Sequence, residues 1–286
     1  SPLASKPGSR RCTCMQQQAS ELIRKVENDL EKNRKKLAKQ EAELAATDNA
    51  EEFRQKGELL TTFLHQVPND QDQVVLDNYY TNEPITIQLN KALTPNQNAQ
   101  RYFKRYQKLK EAVKHLTILI QETKETISYL ETVETALSQA SLAEVAEIRE
   151  ELIQTGFIKR RNREKIHKRK KPKKYLASDG KTIILVGRNN LQNDELTFKI
   201  AKKDELWFHA KDIPGSHVVI TGNLNPSDEV KTDAAELAAY YSKARFSNLV
   251  QVDMIEAKKL NKPTGGKPGF VTYTGQKTLR VTPEEE

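Results

Sequence analysis

The densest grouping of side chains able to do chemistry runs from Asp204 to His217, DELWFHAKDIPGSH. Two histidines, two aspartates and a serine within fourteen residues raise a Ser-His-Asp or metal site. Each of those needs a defined arrangement, however: a strained nucleophile turn for the serine, or paired ligands on one helical face for a metal. Neither pattern is present, so no catalytic residue and no metal are expected and the chain is read as non-enzymatic. A different chemistry suits the segment better. Trp207, the single tryptophan, and His209 are two residues apart on an apolar run, which places both on one side of a strand. If exposed, with Lys211 and Arg188 nearby, they would form a base-stacking platform with phosphate anchors. The opposing expectation is a core tryptophan with polar histidines at strand ends. Ser216 and His217, beyond the turn Pro214-Gly215, belong to the same candidate face, as do Arg188 and Asn189 of the turn Gly187-Arg188-Asn189-Asn190. That turn has neither GxGxxG nor GxxxxGK[ST] spacing, so no nucleotide cofactor is expected.

The second candidate is a run of charge. KRRNREKIHKRKKPKK, from Lys159 to Lys174, holds eleven Lys or Arg against the single acid Glu164. The local charge of +10 exceeds the +8 of the whole chain, so the basic character belongs to this segment. Lys159, Arg160, Arg161, Arg163, Lys168, Arg169, Lys170 and Lys171 are the candidate phosphate contacts, each releasing condensed counterions on binding nucleic acid. A solvated interdomain linker is compatible with that role. No Trp, Phe or Leu face accompanies the charge, which argues against a membrane surface. Lys262 and Lys267 flank Gly265-Gly266 in a basic loop able to close on a backbone, or simply to connect two strands.

These residues need elements to hold them. From Ala19 to Leu44, Ile23, Val26, Leu30, Leu37 and Leu44 recur at three, four or seven residues, a coiled-coil seam interrupted by Asn33 and Gln40. A helix over Glu51 to His65 follows the break at Asp48-Asn49. Thr94, Pro95 and Gln97 open a long helix with an N-cap, a first-turn proline and a capping-box glutamine. Leu109, Val113, Leu116, Ile120, Ile127, Leu130 and Leu137 then keep one heptad register. Two helical runs of matching length predict an antiparallel hairpin, tipped by a β-hairpin from Val74 to Tyr80 and Ile85 to Leu89. Tyr102, Phe103 and Tyr106, interleaved with Arg101, Lys104 and Arg105, are expected to pack that tip rather than bind RNA. Ser141 and Glu144 form a second capping box for a short helix ending at Gly156.

Beyond Tyr175 the pattern becomes that of a compact mixed domain. Strands are predicted at Ile183 to Val186, Leu206 to Ala210, His217 to Thr221, Leu249 to Ile255 and Phe270 to Tyr273, with a sixth at Leu279 to Val281. Helical turns at Asn193 to Ile200 and a helix at Asp228 to Ala244 complete it. The fold class is therefore α+β: a long antiparallel helical coiled-coil hairpin with a small β-hairpin tip over residues 16–156, a basic linker over 157–174, and an α/β domain over 175–286. Residues 1–15, which begin without Met and are rich in Ser, Pro, Gly and Arg, read as an expression scar or the remnant of a preceding linker. Cys12 and Cys14, one residue apart, suit neither a structural disulfide nor a zinc site. No run of about 18 apolar residues is present, so no integral membrane segment is expected.

In order along the chain, NAQRYFKRY at Asn98 to Tyr106, VGRNN at Val186 to Asn190, Asn193-Asp194, Trp207-Phe208-His209 and DIPGSH at Asp212 to His217 resemble the NFACT family, and most of all its streptococcal fibronectin-binding branch. The resemblance runs from Gln16 to the end. It implies the C-terminal half of such a protein: the coiled-coil middle region and an RNA-binding domain, without the N-terminal domain. It further implies non-catalytic binding to tRNA and the large ribosomal subunit during quality control of stalled chains. Host fibronectin is the alternative partner. A cytoplasmic location follows, with unconventional display at the cell surface as the counterpart of the adhesin role.

Overall fold

The computed structural model describes residues 7–285 and side chains from Cys14 onward. The first helix, α1 (Pro7–Ala45), reaches back through part of the stretch set aside above; residues 1–6 and the side chain of Cys12 lie outside the described residues. Then come α2 (Ala50–Thr62), β1 (Gln73–Asn78), β2 (Glu83–Gln88), α3 (Pro95–Ser138) and α4 (Leu142–Gln154). Two local devices set the starts of α3 and α4. Thr94 accepts from the Gln97 amide at 3.3 Å while Gln97 accepts from the Thr94 amide at 2.9 Å. Ser141 and Glu144 exchange the same pair of bonds. Each satisfies helix-end donors that would otherwise lack partners.

The chain divides into two compact units, Asn33–Lys124 and a second that ends at Lys32 and resumes from Glu125. Within the first, β1 and β2 pair antiparallel, and Leu76 and Ile87 bury against Leu59, Leu60 and Ala99. Tyr102 and Phe103 pack on this cluster, as expected for aromatics at the start of a long helix. Gln40 and Thr123, polar members of the two helical seams, meet there in a buried 2.8 Å hydrogen bond. Within the second unit, Leu22, Val26 and Leu30 of α1 pack with Leu130, Val133 and Leu137 of α3 and Ile148 and Leu152 of α4.

The rest of the second unit is built on a six-stranded antiparallel sheet of order β3-β4-β6-β5-β7-β8: β3 (Lys173–Leu176), β4 (Ile183–Val186), β5 (Leu206–Ala210), β6 (Val218–Thr221), β7 (Val250–Glu256) and β8 (Lys277–Val281). Helix α6 (Asp228–Tyr240) covers one face, where Ile184, Val186, Phe208, Ala210 and Ile220 meet Val230, Ala234, Leu237 and Ala238. The opposite face carries Leu185, Trp207, Val219 and Ile255 beneath Leu196 and Leu260. There the cover is helix α5 (Asn190–Glu195), the π-helical turn Leu196–Ile200 and the loop beyond β7.

One strand assignment is corrected. Phe270 to Tyr273 contributes only an isolated bridge between Asn261 and Thr272, and the sixth strand is β3, inside the tail of the basic run. Lys173 is accommodated by Glu285 and the Tyr241 hydroxyl, each at 3.0 Å, and Lys174 by the edge position of β3, where a long cationic side chain stays solvated. Among the described residues no helix is long and apolar enough to cross a membrane.

Candidate nucleic-acid interface

The basic segment has a pinned half and a free half. Helix α4 presents buried carboxylates on the side facing it, and Arg160 Nη1 donates to Glu150 Oε2 at 3.0 Å. Arg149 of α4 reaches the segment's single acid, donating from Nε and Nη2 to the two oxygens of Glu164 at 2.8 and 3.1 Å. This fork and a 2.9 Å bond from the Arg161 amide hold the Glu164 carboxyl down to about 2. Glu164 is thus neutralised from outside the segment, which leaves the segment's own cations unopposed by it. Arg161 forms an exposed ion pair with Glu21 at 3.6 Å, and Arg163 takes a left-handed backbone (φ 68°) in the turn that closes on Glu164.

From Lys165 the side chains turn outward. Lys165, Lys168, Arg169, Lys170 and Lys171 are exposed, and so is Lys159 earlier in the segment. Arg169 makes a single long contact to Gln154, at 3.4 Å, and the Lys170 amide one of equal length to Glu147. Among the described residues Lys159, Arg163, Lys168 and Lys171 take part in no ion pair. The bare linker expectation is therefore corrected: up to Glu164 side chains tie the segment to α4, and beyond it the Lys170 amide still reaches Glu147 while the side chains of Lys165, Lys168, Lys170 and Lys171 are exposed.

The Trp207 to His217 face is also corrected. Trp207 is 0% exposed, so the core reading of this residue replaces the stacking platform. Its indole Nε1 donates to Thr197 Oγ1 at 3.0 Å, and the same hydroxyl lies 2.7 Å from His217 Nδ1. His209 stacks on Trp207 at 5.7 Å, while His217 and Tyr273 approach the indole edge-on at 5.0 and 5.2 Å. Burial pushes both imidazoles below their ordinary value, His217 well below, with His209 adding to its neighbour's shift. The assembly ties the π-helical turn to β5 and β6. Lys211, half-buried, is the one cation on this stretch.

Arg188, Asn189 and Ser216 are buried in the same sense, whereas Lys262 stays exposed and Lys267 is half-buried. Arg188 is buried, with its guanidinium 3.9 Å from the ring centre of Tyr241; Nε donates to Glu144 at 3.1 Å and Nη2 to the Gln139 carbonyl at 2.7 Å. Asn189 caps α5 by accepting from the Gln192 amide at 2.8 Å and donates to Glu147. Ser216 is buried, its amide bonded to the Tyr241 carbonyl. Lys262 pairs with Asp194, and Lys267 lies against the rings of Tyr129 and Phe157 at 5.8 and 5.7 Å.

Sequence reasoning missed the row of acids on α4. Glu147, Glu150 and Glu151 are all buried: Glu147 accepts from Gln192 at 2.9 Å and Glu151 from Asn190 and Tyr129 at 3.0 and 2.7 Å. Burial raises the Glu151 carboxyl above its ordinary value. The pattern E-x-x-E-E on an amphipathic helix reads as a solvated face, and only partners some forty residues downstream reveal otherwise. Lys181, outside the basic segment, was not singled out; like Lys174, the last residue of that segment, it is exposed beside the β3–β4 edge.

Residues 10–171 match the family of NFACT N-terminal and middle domains, and residues 171–275 match the NFACT protein RNA binding domain. A protein of Streptococcus pneumoniae serotype 2 (strain D39 / NCTC 7466) named Rqc2 homolog RqcH is 83% identical over 272 residues, 95% of this chain and 49% of that protein. The Rqc2 homolog RqcH of Bacillus subtilis (strain 168) is 43% identical over 95% of this chain and 48% of its own length. A solved structure of the C-terminal part of the fibronectin/fibrinogen-binding protein from Streptococcus suis (FBPS) aligns with a TM-score of 0.80 at 70% identity, covering 95% of this chain and 96% of that one. The chain spans about half the length of the curated relatives it matches. On its matched domains and its identity to these relatives, the chain belongs to the NFACT family, from the middle region through the RNA-binding domain.

Proposed function

We propose that this chain is the non-catalytic RNA-binding portion of a ribosome-associated quality control protein, engaging tRNA or ribosomal RNA on the large ribosomal subunit. The observation that carries it is the exposed, unopposed cation run Lys165 to Lys171, which leads into the residues matching an RNA-binding domain. Cations free of internal partners are the ones able to displace counterions from phosphates. The shared RqcH identity of the streptococcal and Bacillus relatives supports the ribosomal setting. Pairing of α1 with α3 as an antiparallel coiled coil belongs to the same reading. It is supported by Leu22, Val26 and Leu30 packing on Leu130 to Leu137, and separately by the Gln40–Thr123 bond. Cosedimentation with purified large and small ribosomal subunits, with crosslinks mapped by mass spectrometry, tests it: retention on the large subunit with crosslinks at Lys165 to Lys171 is expected. No retention on either subunit removes the reading.

A second reading, binding of host fibronectin, is favoured by the name of the Streptococcus suis neighbour. Saturable fibronectin binding that survives nuclease treatment, with the protein accessible on intact cells, is its test. Loss of binding after nuclease treatment assigns the contact to bridging RNA.

A further inference from the structure

The second face of the six-stranded sheet is incompletely covered. The segment from α5 through the π-helical turn seals Trp207, Val219 and Leu185 of β4 but leaves the edge strand β3 open. Along that edge β3 and β4 pair in the register Lys174 with Leu185 and Leu176 with Ile183, which puts these four side chains on the second face, Leu185 buried beneath the cover, Ile183 at its border and Lys174 and Leu176 exposed. An open cleft of about 980 Å³ results, with Ile183 and Ile200 as its apolar surface over the buried Leu185, and Lys171, Lys174 and Lys181 among its lining residues. Leu176, next to it on β3, is 59% exposed and Ile200 is 36% exposed, more than a sheet face normally leaves to water. The three lysines are exposed and take part in no ion pair among the described residues; Glu195 is the one acid of the lining.

We propose that this cleft binds an unstacked nucleotide of single-stranded RNA, its base against Ile183 and Ile200 and its flanking phosphates on Lys171, Lys174 and Lys181. The inference rests on the RNA-binding function proposed above and gives it a place. Three features favour this occupant. The volume lies within the roughly 300–1,000 Å³ of small-ligand sites, far too confined for a duplex but suited to a base with its sugar. Apolar surface ringed by cations matches a flat base joined to anionic phosphates, and the free run Lys165 to Lys170 delivers a phosphate backbone directly to Lys171. A peptide strand added to the edge would have to pair with β3, whose Lys173 and Lys174 oppose strand addition.

The test uses the whole chain and fluorescence anisotropy with a short oligouridylate and a blunt RNA duplex, over a range of salt. The combined variant Lys171→Ala, Lys174→Ala, Lys181→Ala should bind the oligouridylate at least ten-fold more weakly. Its log–log salt slope should be smaller by about two, as expected for three lost single-strand phosphate contacts. Ile200→Ala should weaken oligouridylate binding several-fold with the salt slope and duplex affinity unchanged, a result that lost charge cannot mimic. Photocrosslinking through 4-thiouridine should label the peptide containing Ile183 to Leu185 or that containing Ile200. If the parent chain binds the oligouridylate while both variants bind it equally well, or the crosslinks fall elsewhere, the cleft is not the site and the broader RNA reading stands. If the parent binds neither RNA at low salt, that broader reading fails, and this one with it.

Discussion

Glu150, buried on α4, accepts a 3.0 Å hydrogen bond from the guanidinium of Arg160, the second cation of the basic segment. One charge of the run therefore belongs to the fold, and charge count alone overstates what is available to a ligand. Arg160→Ala should lower Tm by a few degrees, because Glu150 is left buried without its counter-ion, and should change RNA affinity little. Lys168→Ala, which removes an exposed cation with no ion partner among the described residues, should do the reverse: Tm unchanged and tRNA affinity down about three-fold. Thermal melts and anisotropy on the two variants decide it; a shared phenotype contradicts the division between pinned and free cations.

Trp207 is the single tryptophan and is sealed beneath the π-helical turn, so it reports on the fold and not on the ligand. Its emission should be blue-shifted, resistant to acrylamide, and unaffected by saturating RNA. Trp207→Ala should cost about 3–5 kcal/mol in stability, measured by urea unfolding. Quenching of Trp207 by RNA would restore the stacking platform as the contact.

The buried imidazoles give stability a pH dependence whose sign is fixed. His209 and His217 have folded values below the ordinary imidazole value of 6.5, because burial disfavours the charged ring. Below about pH 6.5 the unfolded chain binds protons that the folded one does not. Their contribution is complete above the unfolded value and is lost as pH falls through it toward the folded one. The urea midpoint should therefore drop between pH 7 and pH 5, and His217→Gln should flatten that drop while lowering stability at pH 7. Glu151, raised by burial, acts in the opposite sense, losing stability as pH rises past the ordinary carboxylate value. A midpoint change between pH 7 and pH 5 that is the same in the parent chain and in His217→Gln contradicts a depressed His217.

Local rules made the helices and most strands legible. Both capping boxes, at Thr94-Gln97 and Ser141-Glu144, are formed, and Ile183 to Val186 and Leu206 to Ala210 are strands as their apolar runs require. What local pattern missed depended on distant partners. β3 was hidden because Lys173 and Lys174 continue a charge run, and its strand character comes from pairing with β4. The acids of α4 look solvent-facing until Asn189, Asn190 and Gln192 supply their donors. Trp207 and His209 do share a side of β5, as two-residue spacing demands; whether that side meets water was decided by Thr197 and Leu196, which no spacing rule connects to them.

If the exposed cations following the pinned turn of the basic segment bind RNA, the salt dependence of tRNA binding must differ between the parent chain and the variant with Lys168, Arg169, Lys170 and Lys171 all changed to Ala. A linear fall of log affinity with log salt is predicted for the parent, with a slope reduced by about three to four in the variant. Equal slopes and affinities, or no tRNA binding by the parent at low salt, would contradict it.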